Sequence, residues 1–465
     1  MTGVPFFRHN FHSGRSKPRK VERQEPGRLP AVPCDMDWTP TRARALDRLA
    51  RFLPSAGSDY AETRGFDDGP AGEAPGERGR ANVSQLSPWL HAGLLGEAEV
   101  VEAALRQHSP REAESFVSEV FWRVYFKGWL EQRPSVWESY KSSRDEAFAR
   151  IEGNAGLRTA YDEATEGRTG IAAFDTWARE LAEHGYLHNH ARMWFASIWI
   201  FTLKLDWELG ADFFLRHLRD GDAASNTLSW RWVGGLHTSG KTYAARSGNI
   251  ARYTANRPGG PLAALGLAEE AEPLEEEREH GRRPLDLPGP AAPEALDRPY
   301  ALILHDEAAS HVPLSLSAPP ALVIGAARPE ARQSPARGPG GVSGPAADFA
   351  RGAVRSGMEE AARAFGCGSV SWQDDGDLSA ILAEAGIERI ACPYLPTGWT
   401  RDALMPQLAA PTGDGKVTWL LGDLSRATWP HARAGFFRVR KRIEPILGEL
   451  GITGANPPEG LPGQV

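Results

Sequence analysis

Apolar residues recur at helical spacing at Ala43, Leu46, Leu49 and Phe52, directly after Thr39-Pro40-Thr41, a helix start signal. The first helix is therefore expected from Thr39. Ahead of it, residues 1–36 are rich in Pro and Arg without apolar periodicity and read as a basic disordered tail. Residues 54–80 are Gly-rich and read as a loop carrying Tyr60 and Arg64. From about 84 to 256 one helical pattern follows another. Within it Met193–Leu205 is apolar on nearly every side, which predicts a buried central helix. Residues 257–298 contain LEEEREHGRRPLDLPGPAAPEALDRP, a charged and Pro-rich linker.

Beyond the linker the period changes. Short apolar runs at 300–304, 321–325, 369–372, 389–394 and 416–421 alternate with helical patterns near 346–365, 377–386 and 400–409. That alternation predicts a parallel sheet in a doubly wound α/β domain over residues 299–450, with a tail at 451–465. Neither G-x-G-x-x-G nor G-x-x-x-x-G-K-[ST] occurs in it, so no dinucleotide or triphosphate site is indicated there. The expected fold class is mainly α: an all-helical domain over 37–256, then a small Rossmann-like α/β domain.

Composition narrows the picture. With 465 residues, 41% hydrophobic and 15 Trp, the chain can bury a large core in two or three domains. Its net charge of −7 disfavours indiscriminate nucleic-acid binding but leaves room for a local basic face. Cys34, Cys367 and Cys392 lie far apart, which suggests neither a disulfide framework nor a metal site. No apolar run reaches 18 residues, and the N-terminal basic stretch lacks a secretory core, so a cytoplasmic protein without a membrane partner is expected.

The candidate chemistry sits in four stretches. YLHNHARM (186–193) places Asn189, Arg192 and Met193 at i, i+3 and i+4, on one helical face. DGDAASNTLSWRW (220–232) gathers Asp220, Asp222, Asn226, Trp230 and Trp232. In ESFVSEVFWRVYF (114–126), Glu119, Trp122 and Arg123 repeat the same spacing, and the plain reading is a Glu119–Arg123 ion pair along the helix. NVSQLSPWL (82–90) offers Ser84 or Ser87 as an N-cap, and a helix start whose free N–H groups suit a phosphate. Mixed polar groups beside flat aromatics fit a large planar ligand with polar edges.

In this order the stretches resemble the FAD-binding domain of the photolyase/cryptochrome family. NVSQLSPWLHAGLL is similar to TSxLSPYLxxGxL, FVSEVFWRVYF to WxxELxWRxFY, and GRTGIAAFD to GxTGxPxxD. YLHNHARM is similar to WxHNRxRM, DWELGADFF to DWRxGExYF, and DGDAASNTLSWRW to DGDxAxNxxxWQW. The resemblance covers roughly residues 60–245. It implies FAD in a bent form, with Ser84, Gln85, Leu86 and Ser87 at the diphosphate, Arg123 nearby and Tyr60 closing that end. Asn189, Arg192, Asp220 and Asp222 match residues around the flavin, ribityl or adenine, with Arg192 and Asp220 ion-paired. Asn226 matches the residue facing flavin N5.

The same resemblance implies light-driven electron transfer from reduced FAD to a pyrimidine dimer flipped out of damaged DNA, with no metal or nucleophile. Trp122 and Trp232 match the stacking tryptophans, Glu119 and Asn189 the polar contacts, and Met193 the neighbouring methionine. Asn189 and Met193, where (6-4) photolyases resemble histidine, favour cyclobutane dimers. Trp230 and Trp207 match the inner and middle electron-transfer tryptophans. The outer position falls near Ala164, so photoreduction is expected to use another residue such as Trp177 or Tyr161.

Departures accompany the match: Phe116 and Tyr186 stand for tryptophans, and His190 for an arginine. Arg231, Lys241, Arg246, Arg252 and Arg257 follow, with no acid between Asp222 and Glu269, a candidate phosphate-contacting stripe. The α/β domain looks like a reduced antenna domain moved to the C-terminus. No motif fixes a second chromophore in it, and its short loops favour a structural lid. The expected function is a monomeric photolyase for cyclobutane dimers. The alternatives are a cryptochrome-like blue-light receptor and a light-independent flavoprotein with a vestigial pocket.

Overall fold

The computed structural model describes residues 37–70, 79–276, 278–337 and 341–452. The N-terminal tail, Cys34 and residues 453–465 lie outside the described residues. Helices dominate the first half: α1 (Arg42–Phe52), α2 (Ser58–Thr63), α3 (Ser87–His91), α4 (Glu97–Gln107), α5 (Pro110–Glu131) and α6 (Pro134–Glu152). They continue as α7 (Ala155–Glu166), α8 (Ala172–His184), α9 (Asn189–Ser197), α10 (Trp207–His217), α11 (Ala223–Val233) and α12 (Ser247–Tyr253). Tyr60 sits on α2, a short helix where the Gly-rich composition suggested a loop. Burial of the Tyr60 ring against Phe52 and Phe116 gives that turn its packing.

Local chemistry fixes the ends. Thr41 caps α1 by accepting from the Arg44 N–H. Ser109 and Glu112 form a reciprocal capping box that starts α5, with Pro110 at its first position. α5 is the axle of the domain, burying Phe116, Val117, Val120, Phe121, Val124 and Tyr125 against α2, α4 and α11. The apolar stretch after Met193 is buried as expected but is not one regular helix. It runs from α9 into a π turn at Ile198–Thr202, where Leu203 N–H reaches back five residues to the Ile198 carbonyl at 2.9 Å.

The second half forms five parallel strands, β1 (Tyr300–His305), β2 (Leu322–Ala326), β3 (Gly368–Ser371), β4 (Arg389–Pro393) and β5 (Val417–Leu420), in the order β3-β2-β1-β4-β5. The crossovers include α13 (Gly344–Phe365), α14 (Leu378–Ala385) and α15 (Trp399–Gly413). β1 is buried at every position, as a central strand covered on both faces must be. The molecule is thus mainly helical, followed by a small doubly wound α/β unit. The chain then returns to the helical half as α16 (Asp423–Thr428), α17 (Phe437–Arg440) and α18 (Ile443–Glu449), and Trp429, Phe436, Val439 and Ile446 of this stretch join the helical core. Residues 257–298 contain little regular structure, yet Leu262, Leu267, Leu274, Leu285 and Leu287 pack on that same core.

The two halves meet through specific polar contacts. The Glu131 carboxylate accepts from Tyr394 Oη (2.7 Å), the Thr397 N–H (2.8 Å) and hydroxyl (2.9 Å), and Arg401 (2.9 Å). Trp399 Nε1 donates to the Gly221 carbonyl (2.8 Å) and Arg332 to the Leu218 carbonyl (2.9 Å). A Cβ on Gly221 would lie 2.5 Å from the Arg332 guanidinium, so only glycine admits that approach.

Buried titratable groups set the pH response. Burial holds His188 and His217 down at about 3, and His237 and His305 at about 4. These imidazoles are neutral in the fold and take up a proton on unfolding, so stability is lost as pH falls through the ordinary histidine pKa. Glu208 and Asp306, pushed up by burial to about 7 and about 6, act in the opposite sense but are fewer. The thermal unfolding midpoint is expected to be nearly flat above about pH 7 and to fall between about pH 6.5 and 4. A midpoint that rises on acidification, measured calorimetrically, contradicts this balance.

Candidate functional site

A cavity of about 380 Å³ opens between α3, α5, α9 and α11. Leu90, Phe116, Val120, Phe214, Leu218 and Val233 give it apolar walls, and Ser84, Ser87, Arg123, Arg192, Asp220, Asp222 and Asn226 line it with polar groups. Tyr60, Glu119, Trp122, Asn189, Met193, Trp230 and Trp232 complete the lining. A second cavity of about 280 Å³ adjoins it, sharing Tyr60, Ser84, Ser87, Glu119, Asn189 and Met193, and adding Arg64, Gln85, Leu86 and His190. Every site residue expected from the sequence therefore lies on one of these two connected spaces except Trp207.

The carboxylates are positioned by charge. Arg192 Nη1 donates to both oxygens of Asp220 at 3.2 and 3.1 Å, as expected, and the Ser87 hydroxyl faces the same carboxylate. Asp222 caps α11 by accepting from the Ser225 N–H at 2.6 Å. Its other oxygen meets Arg123 (3.2 Å), His91 Nδ1 (3.3 Å) and Lys127 (3.7 Å). Lys127 in turn binds Glu307, just beyond β1, at 2.6 Å. Burial alone would raise the Asp222 pKa, but Lys127 and Arg123 outweigh it and hold the group well below the usual carboxylate range. His91, Asp222 and Glu307 have metal-ligand spacing, yet Lys127 and Arg123 already balance the two negative charges.

The Ser84–Ser87 loop differs from a simple cap. The first residue before α3 is Leu86, which makes no side-chain cap, so neither serine is the N-cap. Instead Ser84 Oγ accepts from the Leu86 N–H at 3.4 Å, and Gln85 adopts a left-handed backbone with φ of 52°. A non-glycine residue in that region costs of order 1 kcal/mol. The loop is pinned from outside by Asn82, whose amide donates to the Thr63 (2.9 Å) and Phe66 (2.8 Å) carbonyls.

The other end of the cleft brings surprises. Glu119 does not pair with Arg123 along α5; it is ion-paired with Arg64 of the Gly-rich region, both about one-third exposed. Trp122 stacks on Phe436, with centroids 4.0 Å and planes 17° apart. No periodicity announced Arg64 or Phe436 as partners, because both contacts join segments far apart in sequence. Asn226 donates to the Ala211 carbonyl at 2.8 Å, which fixes its amide. Trp207 lies on Tyr140 at 5.6 Å, away from the cavities, whereas the Trp230 ring contacts run to Phe214 (5.1 Å) and Trp199 (6.2 Å). Tyr161 lies beyond Trp199 at 6.1 Å, and its hydroxyl accepts from Arg337 at 2.7 Å. Trp177 stacks on Trp194 at 5.6 Å and donates to Asp67 at 3.3 Å.

The expected basic stripe is broken up. Arg231 is buried on Glu276, and Arg257 is buried on Asp67 and Glu180 at 2.6 and 2.7 Å. Arg80 completes that second cluster by pairing with the same two acids. Only Lys241, Arg246 and Arg252 of the five remain exposed.

The lining suits a flavin nucleotide. Hydroxyls and guanidiniums are available for phosphate and ribityl oxygens, with aromatic and apolar walls for a planar ring. Three buried lining atoms, Arg123 Nε, Ser225 Oγ and Trp230 Nε1, have no hydrogen-bond partner among the described residues, as expected of groups beside a bound ligand. Fold and site together define a helical flavin-binding domain. Residues 116–255 match the family described as the FAD binding domain of DNA photolyase. This part of the chain is thus similar to the FAD-binding domain of photolyases, and the cofactor that domain supports is FAD.

Relatives include a deoxyribodipyrimidine photo-lyase of Streptomyces griseus, 36% identical over 216 residues, covering 45% of this chain and 43% of the relative. A protein of the same name from Thermus thermophilus is 32% identical, covering 48% of each. Among solved structures, a bacterial class III photolyase from Agrobacterium tumefaciens aligns at 30% identity with a TM-score of 0.35, over 46% of this chain and 43% of that one. A Synechocystis cryptochrome aligns at 22% identity with a TM-score of 0.38, over 46% and 43%. The chain thus spans about half or less of the relatives it matches. No helix among the described residues is long and apolar enough to cross a membrane.

Removing one member of the buried cluster leaves its partners uncompensated. Asp222→Ala is expected to destabilise the protein by about 3–5 kcal/mol in denaturant titration and to release FAD. Full retention of both stability and FAD contradicts the central place given to this carboxylate.

Proposed function

We propose that the chain is a light-dependent DNA repair flavoprotein that splits cyclobutane pyrimidine dimers, acting as a monomer in the cytoplasm. The observation that carries this reading is the joining of two kinds of lining in one cleft. Phosphate- and ribityl-compatible groups continue directly into Trp122, Trp232, Asn189, Glu119 and Met193. FAD, when bound in its reduced form, supplies an electron on absorbing blue light.

The residues of the chain do the rest by binding and orientation. Arg123, Ser84 and Ser87 hold the phosphate end, with Gln85, Leu86 and Tyr60 shaping the loop beside it. Arg192, Asp220 and Asp222 hold the ribityl and ring edge, and Asn226 faces the ring nitrogen. Trp122 and Trp232 provide flat walls for the flipped bases, while the Asn189 amide donates to a pyrimidine carbonyl. Glu119, held by its ion pair with Arg64, supplies a second polar group beside the same bases. Trp230 relays charge at the inner end of the cleft, with Trp207 further out. The α/β domain, read as a relocated antenna-like domain, serves as a structural lid.

A second reading, a cryptochrome-like blue-light receptor, is favoured by two observations: Glu119 is already ion-paired and one face of Trp122 is already covered. Blue-light repair of a dimer-containing oligonucleotide by the reduced holoprotein separates the two. Repair is expected, and Trp232→Ala is expected to weaken dimer binding by about tenfold or more, since stacking is worth roughly 1–3 kcal/mol per base. Absence of repair with FAD fully bound would falsify the repair reading.

A further inference from the structure

Between Asp423 and Glu444 the sequence carries six Lys or Arg and no Asp or Glu. The fold docks this stretch against α5, next to the cavity. Gln132 Nε2 donates to the Trp429 carbonyl (3.0 Å) and the Ala432 carbonyl (3.1 Å), and Arg133 donates to the Arg433 carbonyl (2.9 Å). A Cβ on Gly128 would lie 2.5 Å from the Trp429 ring, so α5 is cut away to admit the indole. Phe436 then closes over Trp122, one of the cavity's own walls.

The next residue faces outward. Phe437 is 52% exposed, and among the described residues only Leu265 of the large apolar side chains is more so. Lys441 Nζ stands 4.6 Å over its ring, and Arg433 and Arg438 are exposed on the same short segment. Arg440 and Arg442 are already engaged, by Glu114 at 2.5 Å and Glu449 at 3.6 Å. The Phe437 ring thus stands in water within a cluster of exposed cations that have no acidic partner among the described residues. A DNA strand satisfies both halves of the pattern, with phosphates for the cations and a base plane for the ring. An acidic protein surface would answer only the charge, and one ring is too little apolar area to anchor in a bilayer.

We propose that Arg433–Lys441 forms a rim that holds a DNA strand beside the cavity. Arg433, Arg438 and Lys441 take phosphates, and Phe437 stacks on an unpaired base next to the one entering the cleft. This deepens the repair reading, on which its placement of the strand rests, but it is tested separately.

The test measures dark binding of the FAD-loaded protein to a short undamaged single-stranded oligonucleotide across a salt series. The variants are Arg433→Ser/Arg438→Ser/Lys441→Ser combined, and Phe437→Ala. The triple variant is expected to lower the slope of log affinity against log salt by about 2, at roughly 0.7 per phosphate contact. Phe437→Ala is expected to bind about tenfold more weakly with an unchanged slope. Both substitutions are on the surface, and unchanged FAD content and melting temperature confirm folding. Wild-type slope and affinity in both variants overturn the proposal, even if dimers are repaired. Tighter binding to anionic vesicles than to DNA overturns it as well. Loss of DNA binding in the variants with no repair by any form sustains the rim and removes the repair reading instead.

Discussion

One buried carboxylate, Asp222, constrains how the molecule can be assembled. A charge taken out of water must meet opposite charge and hydrogen bonds, or its burial costs several kcal/mol. Asp222 satisfies that demand with groups from separate elements: His91 at the end of α3, Arg123 and Lys127 one turn apart on α5, and the first turn of α11, which it caps. Those elements are the walls of the cleft. Their mutual placement therefore follows from neutralising a single ion, and the apolar lining is arranged around it.

The same ion explains why the α/β domain is bound so specifically. Lys127 carries one charge but serves two acids, Asp222 and Glu307, and Glu307 comes from the end of β1. Nearby, Trp399 and Arg332 hold the carbonyls of Gly221 and Leu218, the peptide segment from which Asp220 and Asp222 project. The α/β unit thus braces the loop behind the cleft. Such a brace depends on which groups reach the loop, and the domain's position in chain order is immaterial to it.

Much of this was legible in sequence because it is written in local terms. The start signal at Thr39-Pro40-Thr41 resolves into a short-range cap by Thr41, and the five strands show as apolar runs between turn signals. The Arg192–Asp220 pair came from motif resemblance, and the geometry agrees. What escaped is non-local. Arg231 and Arg257 looked like a cationic stripe because Glu276, Asp67 and Glu180, which bury them, are 45 to 190 residues away. Glu119 looked paired with Arg123 by helical spacing, but Asp222 competes for the guanidinium from a more buried position. Ser84 and Ser87 looked like caps because a left-handed Gln85 cannot be seen in composition.

The π turn at Ile198–Thr202 has a consequence for how the central helix tolerates change. One extra residue in the turn offsets the helical register by about 100°. The α-helical register that carries Arg192 and Met193 ends at Ser197, and Trp199 lies inside the wider turn that closes the helix. Arg192 and Met193 are set by the cleft, while Trp199 beyond them is set by Trp230, Tyr161 and Phe174. Drift in the packing of the distal aromatic cluster can be absorbed at the turn without rotating Arg192 and Met193 in the cavity wall. The turn works as a mechanical slip joint between the cleft and the core behind it.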